Sequence, residues 1–184
     1  MGAIKMAAKK KKIKADKKRK LLLVLRILLL TAALLYLFFF FYNNYFLENK
    51  TKLYFSSVDA NYLKVEERVL DEKGDLYLQL FEELKAGPTE KELVRTIPEA
   101  SKLLDYQIEG KNLKLNFSIE LRNNHWGGST GEIMTIYSIV NTYTSLDEIE
   151  SVKILLEGEE VETLVGHLDL SQPLMYNQKL TVGN

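Results

Sequence analysis

The chain holds two histidines and no cysteine, so any reaction centre must be built from His125, His167 and the hydroxyls and carboxylates near them. His167-Leu168-Asp169 could set an imidazole against a carboxylate, with Ser118 or Ser129 as nucleophile. An activated serine of the hydrolase kind sits in a segment such as G-x-S-x-G, and neither serine has one. Zinc chemistry fares no better. Without Cys, HExxH or paired histidines, a metal site would have to recruit carboxylates from distant positions. We therefore expect no catalytic residue, no metal and no cofactor.

Carboxylate pairs invite a second test, because a hydrolase acting on wall glycan would need two. Glu66-Glu67-Arg68 is the densest cluster. In a strand, neighbours point to opposite faces, so Glu66 and Arg68 share a side and can pair while Glu67 faces away. That pattern predicts an ion pair at a strand edge. Glu157, Glu159, Glu160 and Glu162 read as a solvated acidic turn, since their spacing is not that of a calcium loop.

The stretch HWGGSTGE, His125 to Glu132, contains the only tryptophan. Ser129 followed three residues on by Glu132 has the spacing of a capping box, in which each side chain satisfies an orphan amide at a helix start. Gly127 and Gly128 give the chain freedom for a sharp approach, and Trp126 is placed to pack at the first turn. A helix start beside glycines can also hold an anion. Here Glu132 already supplies negative charge, no Lys or Arg lies in the stretch, and there is no GxxxxGK[ST]. Helix start is the reading we carry forward, with Trp126, Gly127 and Gly128 as the candidate partner-binding loop.

These residues need elements to hold them. Residues 52–57 (KLYFSS) and 64–70 (KVEERVL) read as strands. Asp75 reads as the cap of a helix carrying Tyr77, Leu80, Phe81 and Leu84 at 3-4 spacing, closed by Gly87-Pro88. Residues 103–108 and 113–117 form a strand pair about the turn 109–112, the second strand alternating apolar and polar. A helix after the tryptophan loop carries Ile133, Ile136, Tyr137, Val140 and Tyr143 or Thr144 on one stripe, and residues 152–156 (VKILL) form a last strand. The order β-β-α-β-β-α-β predicts an α+β fold: a small, mostly antiparallel sheet with two helices packed on one face.

One segment precedes this module. Residues 1–20 carry ten Lys or Arg and one Asp, and residues 21–42 are apolar except for Arg26. About 20 apolar residues span a bilayer core, whereas a signal-peptide core is shorter and ends at small residues; this run ends in FFFFY. Arg26 can snorkel to the headgroups on the basic side, while Tyr36, Tyr42 and Tyr45 suit the opposite interface. The positive-inside rule then predicts a cytoplasmic N-terminus. The expected organisation is a basic tail (1–20), a transmembrane helix (21–42), a linker (43–51), an extracytoplasmic domain (52–174) and a short tail (175–184).

A polybasic run beside a span is accounted for by anionic lipid, at about 1 kcal/mol per cation, so no nucleic-acid partner is expected. Beyond Arg26 the chain has 14 basic and 24 acidic residues, a net charge of −10. That balance favours a protein partner or neutral glycan over anionic polymers.

The ordered segments LYFSS, VEERVL, the helix ending LKAGP, TIP at Thr96 to Pro98, GEIMTIYSIVNTYTSL, VKILLEGEE and GHLDLSQPL from Gly166 resemble the GerMN domain family of sporulation and spore germination proteins. The resemblance runs from about Leu53 to Pro173. It implies a non-enzymatic α+β module, similar to the ring-building modules of envelope-spanning machines, that supports assembly of a complex outside the membrane. Two departures from the GerM arrangement stand out: one module instead of a tandem pair, and a membrane span in place of a lipoprotein cysteine.

The expected function is a membrane-anchored binding or scaffold protein of the cell envelope, of a Gram-positive type by composition, docking by a sheet edge or the Trp126 loop. Its expected partners are the lipid bilayer and extracytoplasmic envelope proteins, a second copy in a ring among them. The alternative is a peptidoglycan-binding module in which Trp126, Tyr54 and Tyr62 stack on sugar faces.

Overall fold

The computed structural model describes residues 2–47, 50–71 and 73–182, the side chains of 2–13, 15 and 43–47 excepted. The side chain of Tyr45 at the expected outer interface, Glu48 and Asn49 of the expected linker, and Gly183 and Asn184 of the tail thus lie outside what is described. Two compact units make up the chain, residues 1–49 and 50–184.

The first unit is a single helix, α1 (Gly2–Leu47), in which the basic and apolar segments run on without a break. Lys, Leu and Ala are strong helix formers, and no Gly or Pro follows Gly2 within it. Its apolar part, Asp16–Tyr42, is 27 residues with a mean hydropathy of 2.6. At 1.5 Å per residue that is about 40 Å, ample for the roughly 30 Å hydrocarbon layer. The apolar side chains of this stretch are exposed, Leu29 and Phe38 by about 70%. A core helix of a soluble domain would bury them; these need an apolar surrounding from elsewhere. Near the end of the run, Tyr36 stacks on Phe40 and Phe38 on Tyr42 at 6.3 and 6.2 Å, the contacts expected of residues four apart.

In the second unit the seven elements read from the sequence occur in the order expected: β1 (Lys50–Ser57), β2 (Leu63–Val69), α2 (Leu76–Ala86), β4 (Leu103–Glu109), β5 (Asn112–Phe117), α4 (Ser129–Tyr143) and β6 (Ser151–Leu156). Five short elements join them: β3 (Leu93–Val94), α3 (Glu120–Asn123), β7 (Glu159–Glu160), β8 (Leu174–Met175) and a 3-10 turn, Gln178–Leu180. The class is α+β. Asp75 caps α2 by accepting from the Leu78 amide, and Gly87 ends it with φ 88.

The strands divide between two sheets instead of one. The first has the order β2-β1-β3; the second runs β4-β5-β6-β7, with β8 also paired to β6. Most pairings are antiparallel, but β5 and β6 are parallel, as a connection through α3 and α4 allows. One apolar core serves both sheets and both helices. It includes Leu53 and Phe55 of β1, Leu80, Phe81 and Leu84 of α2, Leu113, Leu115 and Phe117 of β5, and Ile136, Ile139, Val140 and Tyr143 of α4.

Helix α4 departs from the amphipathic stripe. It is buried on nearly every side, whereas Ile133 and Tyr137 of the expected stripe are only half-buried. Its hydroxyl residues explain how it can be. Thr142 Oγ1 accepts the Tyr54 amide at 3.1 Å, Ser138 Oγ donates to the Tyr54 carbonyl at 2.5 Å, and Thr135 Oγ1 donates to the Thr96 carbonyl at 2.7 Å. The two-residue β3 pairs only with Ser56 and Ser57 of β1. Spaced on one face of the helix, these hydroxyls satisfy backbone of β1 and of the segment after β3.

Candidate functional site

Trp126 stands on a loop that its neighbour holds in place. The Gly127 amide donates to His125 Nδ1 at 2.9 Å, which leaves the ring hydrogen on Nε2, and that nitrogen lies 3.0 Å from Thr135 Oγ1. A chain therefore runs from Gly127 through the neutral imidazole and the Thr135 hydroxyl to the Thr96 carbonyl. Burial pushes the pKa of His125 below its ordinary value, and the nearby Glu132 carboxylate offsets part of that. Gly127 and Gly128 take φ 80 and 78, a region that favours glycine. The result presents the indole outward, 61% exposed, with its ring 5.8 Å from that of His125. The first turn of α4 leaves most of the ring uncovered.

The capping box does not form. Gly128 occupies the N-cap position without a side-chain hydrogen bond, and Glu132 turns inward. It is fully buried, accepting the amides of Leu164 at 2.8 Å and Val165 at 3.0 Å on one oxygen and that of His167 at 2.8 Å on the other. Three backbone donors 32 to 35 residues away outcompete the local one, because a buried carboxylate gains more from several amides than from one cap. Glu132 thus ties the closing segment to α4.

The residues considered for catalysis are apart or engaged. Ser118 is buried and accepts the Lys102 amide, joining the ends of β4 and β5, whereas Ser129 opens α4. His167 and Asp169 share the rim of an open depression of about 440 Å³ with Glu162, Thr163 and Ser171. Among the described residues, no hydrogen bond joins the His167 ring to Asp169. Hydrogen bonds from Ser171 instead hold the Asp169 carboxyl below its ordinary range.

Glu66 and Arg68 pair as their alternation predicts, with Nη2 2.6 Å from Oε1, while Glu67 faces Lys50. Arg68 also donates to Glu83 and to the Gly87 carbonyl, and Glu66 accepts the Thr89 amide. Burial opposes ionisation of Glu66, but Arg68 and the amides outweigh it and hold its pKa low. This hub clamps the end of α2 to β2; its partners saturate both charged groups, as a hydrolytic acid could not allow. Sequence reasoning missed Lys153 as a similar tie: buried within β6, it donates to the carbonyls of Leu170 and Ser171. A lone Lys in VKILL is the only signal for it.

Comparison with known proteins fits this picture of a module with structural polar ties. A family model described as Germane, sporulation and spore germination, matches residues 45–162. The chain belongs to the Germane family. Among solved structures, a Clostridium perfringens protein described as a lipoprotein is 29% identical, with a TM-score of 0.51 over 68% of this chain and 86% of that one. The first GerMN domain of the sporulation protein GerM from Bacillus subtilis is 22% identical, with a TM-score of 0.59 over 68% of this chain and 96% of that domain. The tandem GerMN domains of the same protein are 18% identical, with a TM-score of 0.58, and this chain spans 47% of them. The Germane chain thus has one module of this fold. No curated protein matches it. Family membership assigns the chain to sporulation and spore germination, and its exposed apolar helix fits a membrane anchor.

Proposed function

We propose that this Germane chain is a single-pass anchor that holds one non-catalytic module outside the cell membrane, where the Trp126 loop docks onto another protein of the envelope. The observation that carries the reading is Trp126 itself: a large ring, 61% exposed, on a loop fastened from beneath by His125. A rigid aromatic projecting from a pinned loop loses little entropy on binding and is the kind of side chain that dominates interfaces. The ten cations of the tail favour a cytoplasmic N-terminus, with the tyrosine-bearing end of the apolar run outside.

A wall-glycan reading keeps the same indole as a platform for sugar but loses another of its aromatics. Tyr54 is 2% exposed, with its hydroxyl against that of Tyr176, and only Trp126 and half-buried Tyr62 remain. The deciding experiment compares wild type with Trp126→Ala by crosslinking and capture from membranes of growing and sporulating cells. Loss of a captured envelope protein, with melting unchanged, supports the proposal. Retained protein capture with lost sedimentation on purified peptidoglycan overturns it in favour of the glycan module.

A further inference from the structure

We propose that the outer edge of β4 is a strand-addition site that accepts an extended, lysine- or arginine-bearing segment of a partner protein; this rests on the binding role proposed above. Strand β4 borders its sheet, with β5 on one side and no strand on the other among the described residues. The hairpin closes through Gly110-Lys111, Gly110 at φ 64, with Glu109 facing Asn112. Because antiparallel pairs alternate, Asp105, Gln107 and Glu109 exchange hydrogen bonds with β5, and Tyr106 and Ile108 aim their N–H and C=O groups outward.

Natural sheets guard such edges with short strands, charges, proline or a covering segment. Strand β2 follows that rule. Thr181 and Val182 cover its first residue, Leu63, and four of its next five residues are charged. Strands β3, β7 and β8 are two residues each. Strand β4 has no Lys, Arg or Pro, and the bulge between Leu103 and Asp105 still leaves five regular residues, Asp105 to Glu109.

The two faces of that edge select the occupant. Tyr106 and Ile108 lie opposite core residues Leu115 and Leu113, so they form the rim of the apolar core, and Ile108 is 44% exposed. Around them the charge is negative. Asp75 accepts from the Tyr106 hydroxyl, Glu148 lies beside Tyr77, and Asp105 and Glu109 line the wet face. Lys114 and Lys111 are already paired, with Glu109 and Glu150. Glu109 is thus already matched, whereas Asp105 accepts from the neutral Asn116 amide, so a fitting strand alternates apolar residues toward Tyr106 and Ile108 with a cation toward Asp105. A second copy fits less well. The part of the chain beyond Arg26 carries −10, and pairing centred on Gln107 would set Asp105 against Glu109 twice.

The test uses the full chain in nanodiscs of neutral phosphatidylcholine and a capped peptide of about nine residues alternating Lys and Val. The expected result is slowed hydrogen exchange at the Tyr106 and Ile108 amides, with affinity about tenfold lower for a Glu-Val peptide and for Ile108→Lys. Ile108→Pro, which removes an outward N–H and no bond to β5, should abolish docking if Ile108→Lys perturbs the fold. Equal binding of a proline-interrupted Lys-Val peptide, or protection away from β4, overturns the proposal. So does a concentration-dependent dimer that protects the same amides without peptide. Failure here with Trp126-dependent capture intact would remove the β4 site alone and leave the binding role standing.

Discussion

Glu132 and His167 are joined across 35 residues, the buried carboxylate of one accepting the amide of the other, an exposed residue, at 2.8 Å. With Leu164 and Val165 on its other oxygen, Glu132 is the peg on which the segment after β7 hangs. Glu132→Ala leaves three amides with no acceptor, which should cost about 3 to 4 kcal/mol. Glu132→Gln keeps one oxygen but turns an NH2 toward a donor, and should cost roughly half as much. Denaturant unfolding followed by circular dichroism measures both. Stability within about 0.5 kcal/mol of wild type for Glu132→Ala would show that water replaces the carboxylate.

Hydroxyls of α4 that serve β1 make a second prediction. Thr142→Val is nearly isosteric but removes the acceptor of the buried Tyr54 amide, so it should destabilise by about 1 to 2 kcal/mol, whereas Thr142→Ser should be close to neutral. A thermal melt of the two variants separates the hydrogen bond from packing. A loss for Thr142→Ser with none for Thr142→Val would assign the effect to the methyl group instead.

Both ties bear on what was legible in the sequence. Strands β1, β2, β4, β5 and β6 and the Asp75 cap rest on local signals, alternation and a side chain reaching three residues ahead, and they were readable. The fate of Glu132 was not, because Ser129-to-Glu132 spacing is the same whether the glutamate turns back to the cap or inward to Leu164. Thr135, Ser138 and Thr142 look like a solvent face until the backbone they satisfy, at Thr96 and Tyr54, is known. The division into two sheets and the parallel pairing of β5 with β6 are likewise long-range choices, and two-residue strands such as β3 carry no period to read. Trp126 was singled out for its rarity, but its exposure follows from the His125 ring beneath the loop.

Acid should loosen the Trp126 loop before it unfolds the module. The His125 pKa in the fold lies below its ordinary value near 6.5, so between the two values the unfolded chain binds more protons. Its contribution to stability is therefore complete above about 6.5 and is lost as pH falls through the folded value. A proton on Nδ1 also blocks the Gly127 amide. Glu66, held below its ordinary 4.5, adds a second loss at lower pH, with the same sign. Trp126 is the only tryptophan, so its fluorescence should titrate with a midpoint below 6.5, and His125→Gln should abolish that step while leaving the more acidic one. An unchanged titration in His125→Gln would mean that another group governs the loop.

The absence of cysteine makes the proposed topology directly measurable, since one introduced thiol is the sole target of a maleimide. Lys14 lies on the basic side of the apolar run, and Asp71 belongs to the exposed surface of the module beyond β2. With the positive charges retained inside, Asp71→Cys should react with a membrane-impermeant maleimide in intact cells, and Lys14→Cys only after lysis. The opposite pattern would place the module in the cytoplasm and leave an extracytoplasmic docking role for Trp126 untenable. Labelling of both sites in intact cells would mean that α1 does not span the bilayer. Either result separates the anchor from the module, because Asp71→Cys removes only a local side-chain tie, the acceptance of the Lys73 amide two residues on, and keeps the backbone bonds to Gln79.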